Sequence, residues 1–318
     1  MVYVDLGGTK TLVKFDNKKD FEKFLSLFKK EEIERNDKEN YIIFHTSYLQ
    51  NENKFFSFIK MLKDNFDEVN LIFPELIFNG KVYSKKFPFL NGKAVDELKN
   101  KGIDKIIQDI KALTYYYADK FFKKNNKEKK LCVVILGTGV NAIALSYWEF
   151  KEKIFLDKLY ESGHLTFVYD GKMCHCGREG CFERYLSGKY LKDELKVEEI
   201  TSINHIPNKK QEFHKRLAYY LSSLLISQGV DKFVLYGGLT NIIDLELLKN
   251  YITGVLPFNV EMEVDVEIDN DPLAQIKGLM LLNKSKRDNQ EENNKEKKSA
   301  NSNKNGKRKR NSGKNKLK

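Results

Sequence analysis

Three of the four cysteines, Cys174, Cys176 and Cys181, fall in the run CHCGREGC, and His164 lies ten residues upstream in ESGH. Thiolates and imidazole at this spacing, with Gly177 and Gly180 letting the backbone curl around a centre, form a Cys3His set suited to tetrahedral Zn²⁺. Four protein ligands leave no open position, so the metal would be structural. The alternatives are a buried thiol cluster, a disulfide, or a set in which His175 replaces His164. Cys174 and Cys176 are too close to pair comfortably, and nothing N-terminal reads as a leader toward an oxidising compartment. Glu161 precedes His164 by three residues and Glu183 follows Cys181 by two, so the same motif gathers two carboxylates around an imidazole.

Three strand-like runs end in glycine turns. They are Val2–Val4 leading into DLGGTK, Leu131–Leu136 into Gly137-Thr138-Gly139, and Phe233–Tyr236 into Gly237-Gly238. Glycine lets backbone N–H groups approach an anion closely, which suits phosphate. None of the three matches the GxxxxGK[ST] loop or the GxGxxG fingerprint.

These motifs must be carried by an α/β chain. The first segment reads as a hairpin around Gly7-Gly8, with Thr11–Phe15 returning. A helix follows over 20–33 (Phe21, Phe24, Leu25, Phe28), then a strand at Tyr41–Phe44, a helix at Phe55–Phe66 and a strand at Val69–Phe73. A second half begins near 103. Ala142–Tyr147 is the expected hairpin partner of Leu131–Leu136, Glu212–Ser227 a helix, and Pro272–Leu282 the final helix. Residues 103–124 read as one continuous helix with Asp109 on its solvated face.

The net charge is +11 over 318 residues. Residues 284–318 hold 14 Lys/Arg and 4 Asp/Glu, a net +10, which leaves +1 for the rest. The body is therefore near neutral, and this argues against a nucleic-acid-binding body. The tail has one Leu, one Ala and no aromatic residue. It cannot bury enough apolar area to offset its ordering entropy and is expected to be disordered and solubilising. Its run Lys307-Arg308-Lys309-Arg310 suits non-specific contact with polyanions. No apolar run approaches the ~18 residues of a membrane span, and the cytoplasm is the expected compartment.

DLGGTK at 5–10, LGTGV at 136–140, ESGH at 161–164, CHCGREGCFE at 174–183 and YGGL at 236–239 occur in that order, and over residues 1–283 the chain resembles the ROK family of sugar kinases and related repressors. The resemblance implies two actin-like (ribonuclease H-like) α/β domains around a nucleotide and sugar cleft. It places them at 1–108 and 109–283, with the zinc motif in the second and the final helix, 272–283, packing back on the first. It implies glucokinase-like transfer of the γ-phosphoryl of Mg-ATP to a hexose or N-acetylhexosamine. Asp5 resembles the residue that organises Mg²⁺ through water. Gly7, Gly8, Thr9 and Lys10 resemble the first phosphate turn, Gly137, Thr138 and Gly139 the second, and Gly237 and Gly238 the adenosine-side turn. Glu161, His164 and Glu183 resemble sugar contacts, with His164 also a ligand to structural zinc beside Cys174, Cys176 and Cys181.

Asp109, in Gln108-Asp109-Ile110-Lys111, takes the place of the family's NDAN base, and the resemblance implies there a strand end that opens a helix at Asp109 instead of one continuous helix. Asn141, Ala142 and Ile143 replace expected glycines in GTGVNAI, and Pro74-Glu75 replaces a Pro-Gly. The resemblance also implies a homodimer as a common assembly. The repressor branch carries a helix-turn-helix before its DxGGT, and only four residues precede Asp5, so no specific DNA binding is expected. The altered QDIK and GTGVNAI motifs also admit a protein that binds sugar or nucleotide without transferring phosphate.

Overall fold

A computed structural model describes residues 1–29, 32–257 and 262–285. The basic tail expected to be disordered lies, from residue 286 on, outside the described residues. The strands are β1 (Val2–Leu6), β2 (Lys10–Phe15), β3 (Glu34–Asn36), β4 (Tyr41–His45), β5 (Val69–Phe73), β6 (Leu76–Phe78), β7 (Lys81–Tyr83), β8 (Lys105–Gln108), β9 (Leu131–Leu136), β10 (Val140–Leu145), β11 (Lys232–Tyr236) and β12 (Asp265–Ile268). The helices are α1 (Lys18–Leu27), α2 (Glu52–Asn65), α3 (Val95–Asn100), α4 (Asp109–Phe122), α5 (Tyr147–Lys151), α6 (Phe182–Leu186), α7 (Gly188–Leu195), α8 (Pro207–Gln228) and α9 (Leu245–Gly254), followed by a helix at 274–285.

Two mixed sheets repeat one plan. The first has the order β3-β4-β2-β1-β5-β8, and the second β10-β9-β11-β12. Each contains an antiparallel hairpin (β1–β2, β9–β10) whose first strand runs parallel to later ones, β5 then β8 and β11 then β12. Strands buried on both faces are near-continuous apolar runs, as VYVDL and LCVVIL are. This register gathers acids at one end of the sheet: Asp5 lies one residue before the end of β1, Glu75 follows β5, and Asp109 follows β8. Three carboxylates thus stand at the carboxyl ends of adjacent parallel strands, the side on which α/β sheets bind ligands.

The continuous-helix reading of 103–124 is overturned. Residues 105–108 pair with β5, and the helix opens at Asp109, whose charge favours the helix N-terminus. Other boundaries move modestly. β10 starts at Val140 and α8 at Pro207, a residue that suits the first helical turn. The sequence pattern gave no notice of short β3, β6, β7 and β12. The first sheet packs on a phenylalanine-rich core that includes Phe15, Phe24, Phe58 and Phe73. The helix at 274–285 lies against that sheet, as Leu273, Ile276 and Leu279 bury with Tyr3, Leu12 and Ile72. Each such side chain contributes about 1.5–3 kcal/mol of burial. Asn283 Nδ2 also donates to the buried Asn70 Oδ1 at 3.2 Å. The same helix contacts α4 through Ala274 and Leu282, so it bridges both halves.

Candidate functional site

The turns that follow β1 and β9 face each other. Thr9 Oγ1 lies 3.3 Å from Thr138 Oγ1, and a Cβ on Gly8 would sit 2.6 Å from Thr138 Oγ1, so only glycine permits this approach. The third turn stands beside the second because β11 pairs with β9. Gly237 has φ +112, and a Cβ there would meet Leu136 O at 2.5 Å. Lys10 does not join the cleft: its ammonium pairs with Glu34 of β3 at 2.8 Å.

The carboxylates cluster beneath these turns. Asp5 is buried, and burial with the nearby Asp109 pushes its carboxyl up to about 8. With its amide oriented to suit its neighbours, Gln275 donates to both Asp5 oxygens at 2.9 and 2.6 Å. Burial pushes Asp109 up to about 7; the Ile110 N–H, donating to Oδ1 at 2.6 Å, opposes the rise and Glu75 adds to it. Burial likewise pushes Glu161 up to about 7, against the pull of Gln108, whose Nε2 donates to Glu161 Oε1 at 2.9 Å. Glu183 is pushed up to about 7 by burial, against the Val140 N–H that donates to its Oε2 at 3.2 Å. A cluster that exchanges protons near neutrality is what general-base chemistry requires.

The raised Asp109 has a consequence for stability. A carboxyl whose folded pKa exceeds its unfolded value binds more protons when folded. Its contribution is complete below about pH 4 and is lost as pH rises through about 7. Asp109→Asn is therefore expected to stabilise the ligand-free protein by about 1–2 kcal/mol at pH 8, partial exposure discounting the full shift. The gain should shrink toward zero near pH 4. Denaturant unfolding of both proteins across that range checks this.

Around the cysteine run, Sγ of Cys174, Cys176 and Cys181 and a ring nitrogen of His164 lie within 4.8 Å of one another. His164 Nδ1 stands 3.7 Å from Cys174 Sγ, and Cys176 Sγ 3.7 Å from Cys181 Sγ. Burial and the neighbouring thiols push Cys181 up to about 12, a penalty that a bound cation relieves. The donor types and their closeness fit a tetrahedral metal. His175 stands beside the same set, its Nδ1 3.7 Å from Cys174 Sγ and 3.0 Å from Glu183 Oε1.

The predicted residues Asp5, Asp109, Glu161, Glu183 and His164 thus come together between the two sheets. Glu75 joins them unforeseen: its carboxylate accepts from Ser84 Oγ and from the Lys85 N–H at 3.0 Å, and it raises Asp109, Glu161 and Glu183. Its signal was an acid at a strand end, the placement of Asp5 and Asp109. Gln275 gave no signal, since an amide inside a helix is ordinary.

The sequence model of one family, described as the ROK family, matches residues 52–267. The N-acetyl-D-glucosamine kinase of Shigella flexneri serotype 5b (strain 8401) is 25% identical over 190 residues, 51% of this chain and 61% of that protein. The chain thus matches about three-fifths of the length of such curated relatives. A ROK family glucokinase from Streptomyces griseus in complex with glucose and AMPPNP superposes with a TM-score of 0.58 at 15% identity, covering 87% of this chain and 97% of that one. A ROK family transcriptional regulator, a homologue of E. coli MLC, gives 0.54 at 15%, covering 87% and 76%. These likenesses establish the mixed α/β, actin-like fold. Among the described residues no helix is long and apolar enough to cross a membrane.

Proposed function

The chain belongs to the ROK family, and on that premise we propose that it transfers the γ-phosphoryl of Mg-ATP to a hydroxyl of a hexose or N-acetylhexosamine. The observation that carries this reading is the meeting of Asp5, Asp109, Glu161 and Glu183 beneath three glycine turns. In this account Asp109 accepts the proton of the attacking hydroxyl. Glu161 and Glu183 accept hydrogen bonds from sugar hydroxyls, and His164 borders the same pocket. The turns at 7–9, 137–139 and 237–238 offer backbone N–H groups to the nucleotide. Asp5 would orient the water around Mg²⁺, which supplies charge neutralisation at the phosphate oxygens when bound. Zn²⁺ on His164, Cys174, Cys176 and Cys181 would fix the loop that carries Glu183 and His175. Two lobes meeting at residues 108/109 suit a cleft that closes to exclude water.

Each carboxylate holds a sugar hydroxyl by a charge-assisted bond worth roughly 1.5–3 kcal/mol. Glu161→Gln and Glu183→Gln should therefore raise the sugar KM by about 10- to 100-fold and leave the ATP KM nearly unchanged. Steady-state ADP release with Mg-ATP, across glucose, fructose, mannose, N-acetylglucosamine and N-acetylmannosamine, tests the function and these variants together. One observation favours a second reading, a protein that binds sugar or nucleotide without transfer: with its amide turned to suit its neighbours, Gln275 satisfies both oxygens of Asp5. Calorimetric sugar binding without ADP release from any of these sugars would select it.

A further inference from the structure

The segment that carries Glu161 has little structure of its own. A short 3-10 turn, Ile154–Asp157, ends before it, and residues 158–161 belong to no helix or strand. Among the described residues, the one backbone hydrogen bond donated by an amide of 158–161 runs from Lys158 N to Phe155 O at 3.4 Å. Glu161 itself caps the next 3-10 turn, Ser162–His164, its carbonyl accepting from His164 N at 3.0 Å, so local bonds fix its backbone on that side only.

Three side chains from outside converge on the segment. Gln108, at the end of β8 and 2% exposed, donates from Nε2 to Glu161 Oε1 at 2.9 Å. Lys111, one turn further on and 4% exposed, donates from Nζ to Leu156 O at 2.7 Å. Asn141, on β10, donates from Nδ2 to Tyr160 O at 2.8 Å. Its Oδ1 accepts from Ser162 N at 3.1 Å and from Ser162 Oγ at 3.2 Å. Ser162 Oγ is in turn 2.7 Å from the buried Tyr220 hydroxyl. Gln108 caps α4 and Lys111 lies in its first turn, so the two stand together at the β8–α4 junction. Burying a lysine is costly and is seldom seen without a partner. Here the ammonium donates to one carbonyl, with the carboxylates of Asp157 and Glu161 near enough to favour its charge. All three residues lie in the two motifs, QDIK and GTGVNAI, that looked altered in the sequence.

We propose that Gln108, Lys111 and Asn141 are a set of positioning residues that clamp residues 156–162 and aim the Glu161 carboxylate toward Asp109. The two altered motifs are then halves of one device, linking the start of α4 and the β9–β10 hairpin through the segment between them. The clamp stands on the geometry above; its effect on sugar rests on the proposed function of Glu161.

Amide hydrogen exchange on the full-length protein without ligand tests the clamp directly. Lys111→Met fills the same space without the donor, and Asn141→Ala removes the amide's bonds to Tyr160 and Ser162. Each should raise exchange by roughly tenfold at the amides of this segment that donate a bond, Leu156 and Lys158 for Lys111→Met and Ser162 for Asn141→Ala, while α8 stays protected. The second readout is kinetic. Gln108→Leu and Lys111→Met should raise the sugar KM and not the ATP KM, and that increase should disappear when each is combined with Glu161→Gln. Unchanged exchange at 156–162, exchange that rises equally throughout the chain, or KM effects that add fully to Glu161→Gln would each overturn the proposal. If no sugar is phosphorylated, the functional reading fails, and the exchange result still decides the clamp.

Discussion

Asp109→Asn is expected to lower kcat for phosphoryl transfer by about 10²- to 10⁴-fold with little change in sugar affinity, the range for removal of a general base. The substitution keeps the size of the side chain. It also keeps an oxygen to accept from the Ile110 N–H, 2.6 Å away in the wild type, so α4 should start where it does now. What it removes is the group able to take the hydroxyl proton. The wild type should show the same group in its pH profile. Burial holds the Asp109 carboxyl at about 7, so kcat/KM should fall about tenfold per unit as pH drops below that value, because the base must be ionised. Neighbouring carboxyls titrate in the same range, so the apparent value belongs to the cluster, and the Asp109→Asn variant identifies the member that matters. Retention of wild-type turnover by Asp109→Asn would move the base to Glu161 or Glu183.

The second large effect concerns the cysteine cluster. Protein prepared without chelator is expected to carry one Zn²⁺ per chain, and Cys176→Ser should lose it. Structural zinc contributes folding free energy directly, about 10–16 kcal/mol in free zinc-finger peptides. In a chain with large cores of its own the loss should be a few kcal/mol, lowering Tm by roughly 5–10 °C. Sugar affinity should fall as well, because Cys181 immediately precedes the helix that carries Glu183, and His164 follows Glu161 by three residues. Elemental analysis and thermal unfolding check both parts. Absence of zinc in protein purified without chelator would contradict the assignment and leave the four side chains as a reduced, buried cluster.

Much of this was legible in the residues themselves. The cysteine spacing picked out four side chains whose donor atoms the fold does bring together, because ligand spacing is local, and the three glycine turns were visible because strand-to-glycine junctions are written in contiguous residues. The strand at 105–108 was harder to see. KIIQ is four residues long and runs straight into α4, a helix buried on almost every side, so its apolar residues merge with those of the helix into one run. Only pairing with β5 makes it a strand, and pairing is not local. Glu75 and Gln275 were hidden for a related reason. One lies in a short loop and the other in a helix, and each gains meaning from neighbours 34 and 270 residues away, Asp109 and Asp5. Lys111 and Asn141 looked like losses because the sequence shows which residues are present, not what they touch.

The central claim is that this cleft moves a phosphoryl group onto a sugar. Mass spectrometry of reactions containing the protein, Mg-ATP and each hexose or N-acetylhexosamine in turn tests it most directly. The account predicts a monophosphorylated product from at least one of these sugars with the wild type, and none above background with Asp109→Asn. ADP that accumulates without any phosphorylated sugar, or the same product in equal yield from both proteins, would contradict it.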